Sequence, residues 1–410
     1  MKYPGLTLLV VTLLAVACLT NHADAVSRVE INKLRAKSVL TNEDMQLVDQ
    51  FVQEQMSDIQ FAQQFSVAAD AAEQLRNTAQ SEATVQSARQ AWSQRFTQAV
   101  KAQVPALFQR ANELLADEDL EQKELGRQIA LAALIVMAAC DNPALLDQIL
   151  PLLQHERPEI RYWTVTALNK PTTLAALRED QALRGQVINA LRTLLNRENP
   201  AELLQIVAEW ASQLADDPQV DPLLQAIVAQ RVQKYQAWNV SEEMCDLAIL
   251  RAILNVAGTP TAFQQTQRRA ALVRAAADLY CAAGTRYVKA MGYTKPDTNP
   301  PQTLPLLTDD SQIASETLLI QAEELFLALA SRSTDVYRGR MRESIGSENW
   351  DRVQAALEAL VGPDQGLINR AFNIYSTGQQ ITTVPDAPQE VVQRAETLST
   401  LRRNLLEVEY

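Results

Sequence analysis

Two short stretches of this chain repeat one another at an offset of 42 residues. Leu152-Leu153-Gln154-His155-Glu156-Arg157-Pro158 is echoed by Leu194-Leu195-Asn196-Arg197-Glu198-Asn199-Pro200, with the leucine pair, the glutamate and the proline in register. A weaker echo, Leu114-Leu115-Ala116-Asp117-Glu118-Asp119-Leu120, lies 38 residues upstream of the first. In each, a leucine pair closes one helical pattern, a charged turn follows, and an amphipathic helix begins again, over 124–138, 159–169 and 201–214. One helix pair cannot bury its own apolar face, but stacked copies bury a continuous core. A period near 40 built of helix pairs therefore predicts a helical solenoid. The alternative is a non-repetitive helical domain with two similar turns.

The rest of the chain agrees on the fold class. Only 11 of 410 residues are glycine, which leaves few tight turns and few strand-to-strand connections. Ala, Leu, Gln, Glu and Arg dominate, and all are good helix formers. The expected fold class is all-α, with a smaller C-terminal helical region after the array. Residues 129–140, IALAALIVMAAC, are apolar without a break; a helix apolar all round must be buried on all sides. Thr41 is placed to cap a helix with Asp44 as its capping-box partner. Trp92, Phe96, Val100, Val104 and Phe108 form a stripe that reads as a core face.

Pro158-Glu159-Ile160-Arg161, followed by Thr164, Ala167 and Leu168, resembles the second helix of a HEAT repeat. The resemblance covers about residues 112–235 and departs in the next unit, where Leu203-Leu204 stands in place of the Ile-Arg pair. It implies an α-solenoid that acts as a binding scaffold, with Arg161 tying neighbouring repeats through an acidic residue in the turn.

Residues 1–25, MKYPGLTLLVVTLLAVACLTNHADA, read as an export signal. Lys2 precedes an apolar stretch from Leu6 to Ala17, and Ala23-Asp24-Ala25 fits a small-x-small cleavage site before Val26. Twelve residues of helix reach about 18 Å, too short for a bilayer core of about 30 Å. The expected location is periplasmic or secreted, with no transmembrane span after cleavage. An envelope lipoprotein anchored through lipidated Cys18 is the alternative, although Ala15 stands where that signal usually has Leu. Beyond the signal we expect an N-terminal helical region over 26–111, the HEAT-like array over 112–291, a Pro-rich linker over 292–311 and a C-terminal helical region over 312–410.

Chemistry is sparse. After cleavage the cysteines are Cys140, Cys245 and Cys281, with no Cys-x-x-Cys, and the one histidine is His155. A zinc site of the usual kind is not expected, and a tight hairpin at Gly258 would set Cys245 and Cys281 too far apart to bridge. His155 reads as a turn residue rather than a base. The acidic pairs Asp117/Asp119, Asp216/Asp217 and Asp309/Asp310 sit at turns, where helix N-termini favour carboxylates. No phosphate loop or nucleophile elbow is present, and no cofactor is expected. The net charge of −12 speaks against nucleic acid, which demands a cationic face; Arg268, Arg269, Arg274, Arg286 and Lys289 read as a solvated helix face. Tyr162 and Trp163, with Trp210 and Trp238 from successive repeats, are core residues or, where one faces outward, candidate interface residues. The expected function is a non-catalytic scaffold for an unknown protein partner. An all-α enzyme or glycan-binding protein using carboxylates in a cleft is the alternative.

Overall fold

The structure, a computed structural model, describes residue 26, residues 28–290 and residues 307–331. The export signal with Cys18, most of the Pro-rich linker and residues 332–410 lie outside the described residues. Those described form fifteen helices and no strand, so the chain is all-α. No helix among them is long and apolar enough to cross a membrane. They cluster into two compact units. One holds the described residues up to 152 with 166–173; the other holds 153–165 with the described residues from 174 onward.

In the first unit α1 (Arg28–Arg35) lies against α2 (Asn42–Gln60) and α3 (Phe65–Thr78). Together with α4 (Gln86–Leu115) and α5 (Leu120–Cys140), helices α2 and α3 close a four-membered ring. In it α2 packs on α3 and α4, and α5 packs on the same two. Each start has a local cause. Thr41 caps α2 in the expected capping box with Asp44, and Asp119 caps α5 by accepting from the Glu121 N–H. The ends of α2 and α3 at 61–64 were not marked in the sequence, because no glycine or proline occurs there.

The aromatic stripe of α4 is core for most of its length. Trp92, Phe96, Val100 and Val104 are buried, whereas Phe108 is only half-buried and Leu107 takes its place. A strict four-residue spacing gains about 40° per step on a helix of 3.6 residues per turn, so the stripe rotates off the face. The Trp92 indole finds its buried acceptor in the Thr78 carbonyl at 3.2 Å. On α5 the apolar run is buried except along Leu131, Ile135 and Ala139, which are half-buried. Helices α4 and α5 approach closely at Gly126, where an added Cβ would stand 2.7 Å from the Ala111 carbonyl oxygen and 2.8 Å from Leu114 Cβ.

Asp141 ends α5 in the left-handed conformation, φ 42°. Its carboxylate then accepts from the Thr172 and Thr173 N–H groups, in the first turn of α8 (Pro171–Glu179). Between them come a short α6 (Leu146–Ile149), flanked by 3₁₀ turns, and α7 (Pro158–Leu168).

The second unit is organised differently. Its main helices are α9 (Gln181–Leu194), α10 (Ala201–Ser212), α11 (Asp221–Gln236), α12 (Glu243–Ala257), α14 (Thr266–Ala290) and α15 (Asp309–Ser331). A short α13 (Pro260–Gln264) precedes α14, and Thr259 caps it with Pro260 behind, as the sequence suggested. Contacts run in two rows: α10 on α12 on α15, and α9 on α11 on α14. The rows meet where α10 packs on α11, α12 on α14, and α14 on α15. Helix α15 thus packs within this unit, and it begins inside the stretch read as linker.

Candidate functional site

The two echoed turns meet in the second unit. Position 155 corresponds to position 197 in the echo, and the Arg197 guanidinium donates to the His155 carbonyl. Pro158 is the first residue of α7 and Pro200 the N-cap of α10; at both places the missing N–H would have had no helical partner. Gln230 of α11 reaches the same row of turns, donating to the Leu195 carbonyl at 2.7 Å and the Arg197 carbonyl at 3.0 Å. Lys234, one turn on, pairs with Glu198.

Arg161 does not meet an acidic side chain as the HEAT resemblance implied. Its Nη1 donates to the carbonyls of His155 at 3.0 Å and Glu156 at 2.7 Å. The acidic role falls to other arginines. Arg231 forks Asp246 at 2.6 and 2.8 Å and also donates to the Ser241 carbonyl. Arg268 forks Asp221 at 2.7 and 2.9 Å, Arg184 pairs with Asp217, and Arg286 pairs with Glu243. Arg268, Arg269 and Arg286 are therefore buried rather than a solvated face. The reason is the acidic residues at the starts of α11 and α12, which draw the arginines of α11 and α14 inward. Tyr235 donates to Asp246 at 2.7 Å. Burial, and then the Asp246 charge, push its hydroxyl well above the ordinary value, so it stays a donor.

The aromatic candidates separate. The Trp210 indole is fully buried and belongs to the core. Tyr162 and Trp163 are half-buried on α7, their rings edge to face at 6.1 Å. Trp238 is half-buried in the turn between α11 and α12 with φ 57°. That turn holds a second left-handed residue, Glu242 at φ 59°, which is the N-cap of α12 and offers no side-chain bond. Ser241, read from the sequence as the cap, instead presents its carbonyl to Arg231.

The remaining candidates are bonded or buried within the fold. His155 accepts the Arg157 N–H through Nδ1 at 3.1 Å. Burial holds its pKa below the ordinary value, against the pull of Glu156 and Glu159. Asp117 and Asp119 accept from backbone N–H groups in their own turn. Asp217 does the same for Gln219, and Asp216 accepts from the Thr261 hydroxyl. Cys140 and Cys245 are free and buried, and burial pushes both thiols up to about 12; the Cys281 side chain is not among those described. Among the described residues no group of three or more His, Cys, Asp or Glu could hold a metal ion. Sequence reasoning missed the cationic side of the turn row. Lys234 and Arg231 carried a signal only in their spacing on α11, and nothing local marked Arg197.

No family model, no curated protein and no solved structure matches the chain.

Proposed function

We propose that the chain is an exported, non-catalytic helical scaffold for protein–protein interaction, built in its second unit as a HEAT-like array. The observation that carries this reading is the bond from Arg197 to the His155 carbonyl, a contact between equivalent positions of two echoed turns 42 residues apart. Together with the two rows of helix contacts, it supports units stacked on one another, and stacking yields an extended run of turns rather than one closed pocket. The half-buried Tyr162 and Trp163 on α7, and Trp238 in the turn between α11 and α12, supply the aromatic anchors that interfaces favour. A net charge of −12 favours a basic or neutral partner. The signal-like residues 1–25 support a periplasmic or secreted setting, with a lipid on Cys18 as the variant form; an intact mass starting at Val26, or one carrying acyl chains at Cys18, separates the two.

The test is capture by the tagged mature chain from the envelope and secreted fraction, repeated with Tyr162→Ala and Trp163→Ala. A single near-stoichiometric protein is expected, and loss of an anchor should weaken it by tenfold or more, about 1.4 kcal/mol or above, with the melting temperature held. Capture of a glycan instead, or a partner indifferent to both substitutions, defeats the reading.

A further inference from the structure

We propose that a pocket between the starts of α7 and α10 and the end of α11 binds an oxyanion that also carries a hydroxyl, as inorganic phosphate does at neutral pH and a phosphate monoester does below about pH 6. The pocket measures about 480 Å³ and lies wholly within the second unit. A bare ion would leave much of it empty, so the room suits an anionic group on a larger molecule. Arg161, Arg231 and Lys234 line it, and the acid lining it, Glu198, is held by Lys234 and is three-quarters exposed.

Two buried atoms point to the ligand. Arg161 is 4% exposed, yet its Nε has no hydrogen-bond partner. Its other bonds go to carbonyls, and among the described residues it forms no ion pair. Arg197 stands in the same position, with a buried, unpartnered Nε, and both guanidiniums converge on the His155 carbonyl. Burial, and next the Arg197 charge, hold the Arg161 pKa below its ordinary value, only partly relieved by Glu159. An anion beside Arg161 would remove that repulsion and complete its fork. The second atom is Asn199 Oδ1. Asn199 is 4% exposed and lines the pocket; its amide nitrogen serves the Leu194 and Arg197 carbonyls, and its oxygen has no donor. A lone anion cannot satisfy an acceptor, but the hydroxyl of a protonated phosphate can. The first turn of α10, which has no side-chain cap and whose Pro200 and Ala201 line the pocket, adds a backbone dipole of the matching sign. The inference stands independently of the scaffold reading.

Calorimetric titration of the mature chain with inorganic phosphate, sulfate and phenyl phosphate at about pH 5.5, where a phosphate monoester with a second pKa of about 6 still carries its hydroxyl, tests it. Saturable binding of one phosphate per chain is expected, with sulfate, which has no hydroxyl, weaker by about tenfold because Asn199 Oδ1 stays unpaired. Phenyl phosphate tighter than phosphate assigns the group to a larger molecule, and the reverse order assigns the free ion. Arg161→Gln should abolish binding. Because that change also removes two turn bonds, Asn239→Glu provides a variant in an exposed rim residue; it should weaken phosphate severalfold with the melting temperature unchanged. No saturable phosphate heat, or binding indifferent to both substitutions, overturns the site. Sulfate as tight as phosphate overturns the role of the hydroxyl.

Discussion

The two units hold themselves together by different means. In the first, α2, α3, α5 and α4 close on one another, and the interior is filled by Val48, Phe51, Met56, Leu75, Trp92, Phe96, Ile129 and Leu134. Its buried polar residues are few and none is an ion pair between helices: Asp44 in a capping box, Thr78 and Thr97 on helices, and Thr173 bonded to Asp141. In the second, Arg231, Asp246, Glu243, Arg268, Asp221, Arg286 and Glu316 are all buried beside an equally apolar interior. Rows of stacked helices crowd their turns together, and the backbone groups there need donors and acceptors from neighbouring helices. Arginine, with five donors on a long stem, meets that need. The buried arginines Arg231, Arg268 and Arg286 each meet a carboxylate as well, those of Asp246, Asp221 and Glu243.

The largest expected effect follows from that difference. Asp246 is fully buried and carries both Arg231 and Tyr235. Asp246→Ala strands a buried guanidinium and should cost about 3–5 kcal/mol. Replacing the pair together, Arg231→Met with Asp246→Leu, should cost much less, because a matched apolar pair leaves no orphan charge. Urea unfolding of the single and double variants measures the contrast; equal losses would mean the pair does not act as a unit.

The first unit should respond to shape rather than charge. Gly126→Ala pushes a methyl against the Ala111 carbonyl and the Leu114 side chain, both in α4. Backbone cannot yield as a flexible side chain can, so α4 and α5 must separate, at about 1–3 kcal/mol. The same substitution at Gly185 of α9 meets nothing within 4 Å, and there the better helix propensity of alanine should stabilise by about 0.5–1 kcal/mol. Opposite shifts in melting temperature at the two glycines are the expected result.

These contrasts show what the sequence could carry. The helical class was legible from scarce glycine and periodic apolar residues, and Thr41 with Asp44, and Thr259 with Pro260, marked real helix starts because capping is local chemistry. The echoed turns were legible too, since leucine pair, charge and proline recur in register. The break at 61–64 was not, because neither glycine nor proline stands there. Trp210 and Trp238 looked alike in the sequence but differ in burial, since a helix face and a left-handed turn position cannot be told apart by residue type. The pocket was hidden for a similar reason: Arg161 and Arg197 meet only through the stacking of turns, and a resemblance that assigns arginine an acidic partner points away from an arginine lacking one.

The smallest effect probes an ion pair of the first unit whose acid is buried. Asp44 bonds Lys37 at 2.7 Å and the Thr41 N–H at 2.9 Å. The Lys37 bond first, and the Thr41 amide next, hold its carboxyl below the usual 3.8. A depressed folded pKa means the folded state keeps the proton off longer than the unfolded chain does. The stability this provides is therefore fully present above about pH 4, near the unfolded value, and is lost as pH falls through the folded value. Asp44→Asn removes the titration, so the difference in melting temperature between the native chain and this variant should be constant from pH 7 to about 5 and shrink as pH drops below 4. Lys37 is nearly half exposed, so added salt should reduce the gap as well. A gap that held its size at low pH would assign the role of Asp44 to helix-start geometry alone.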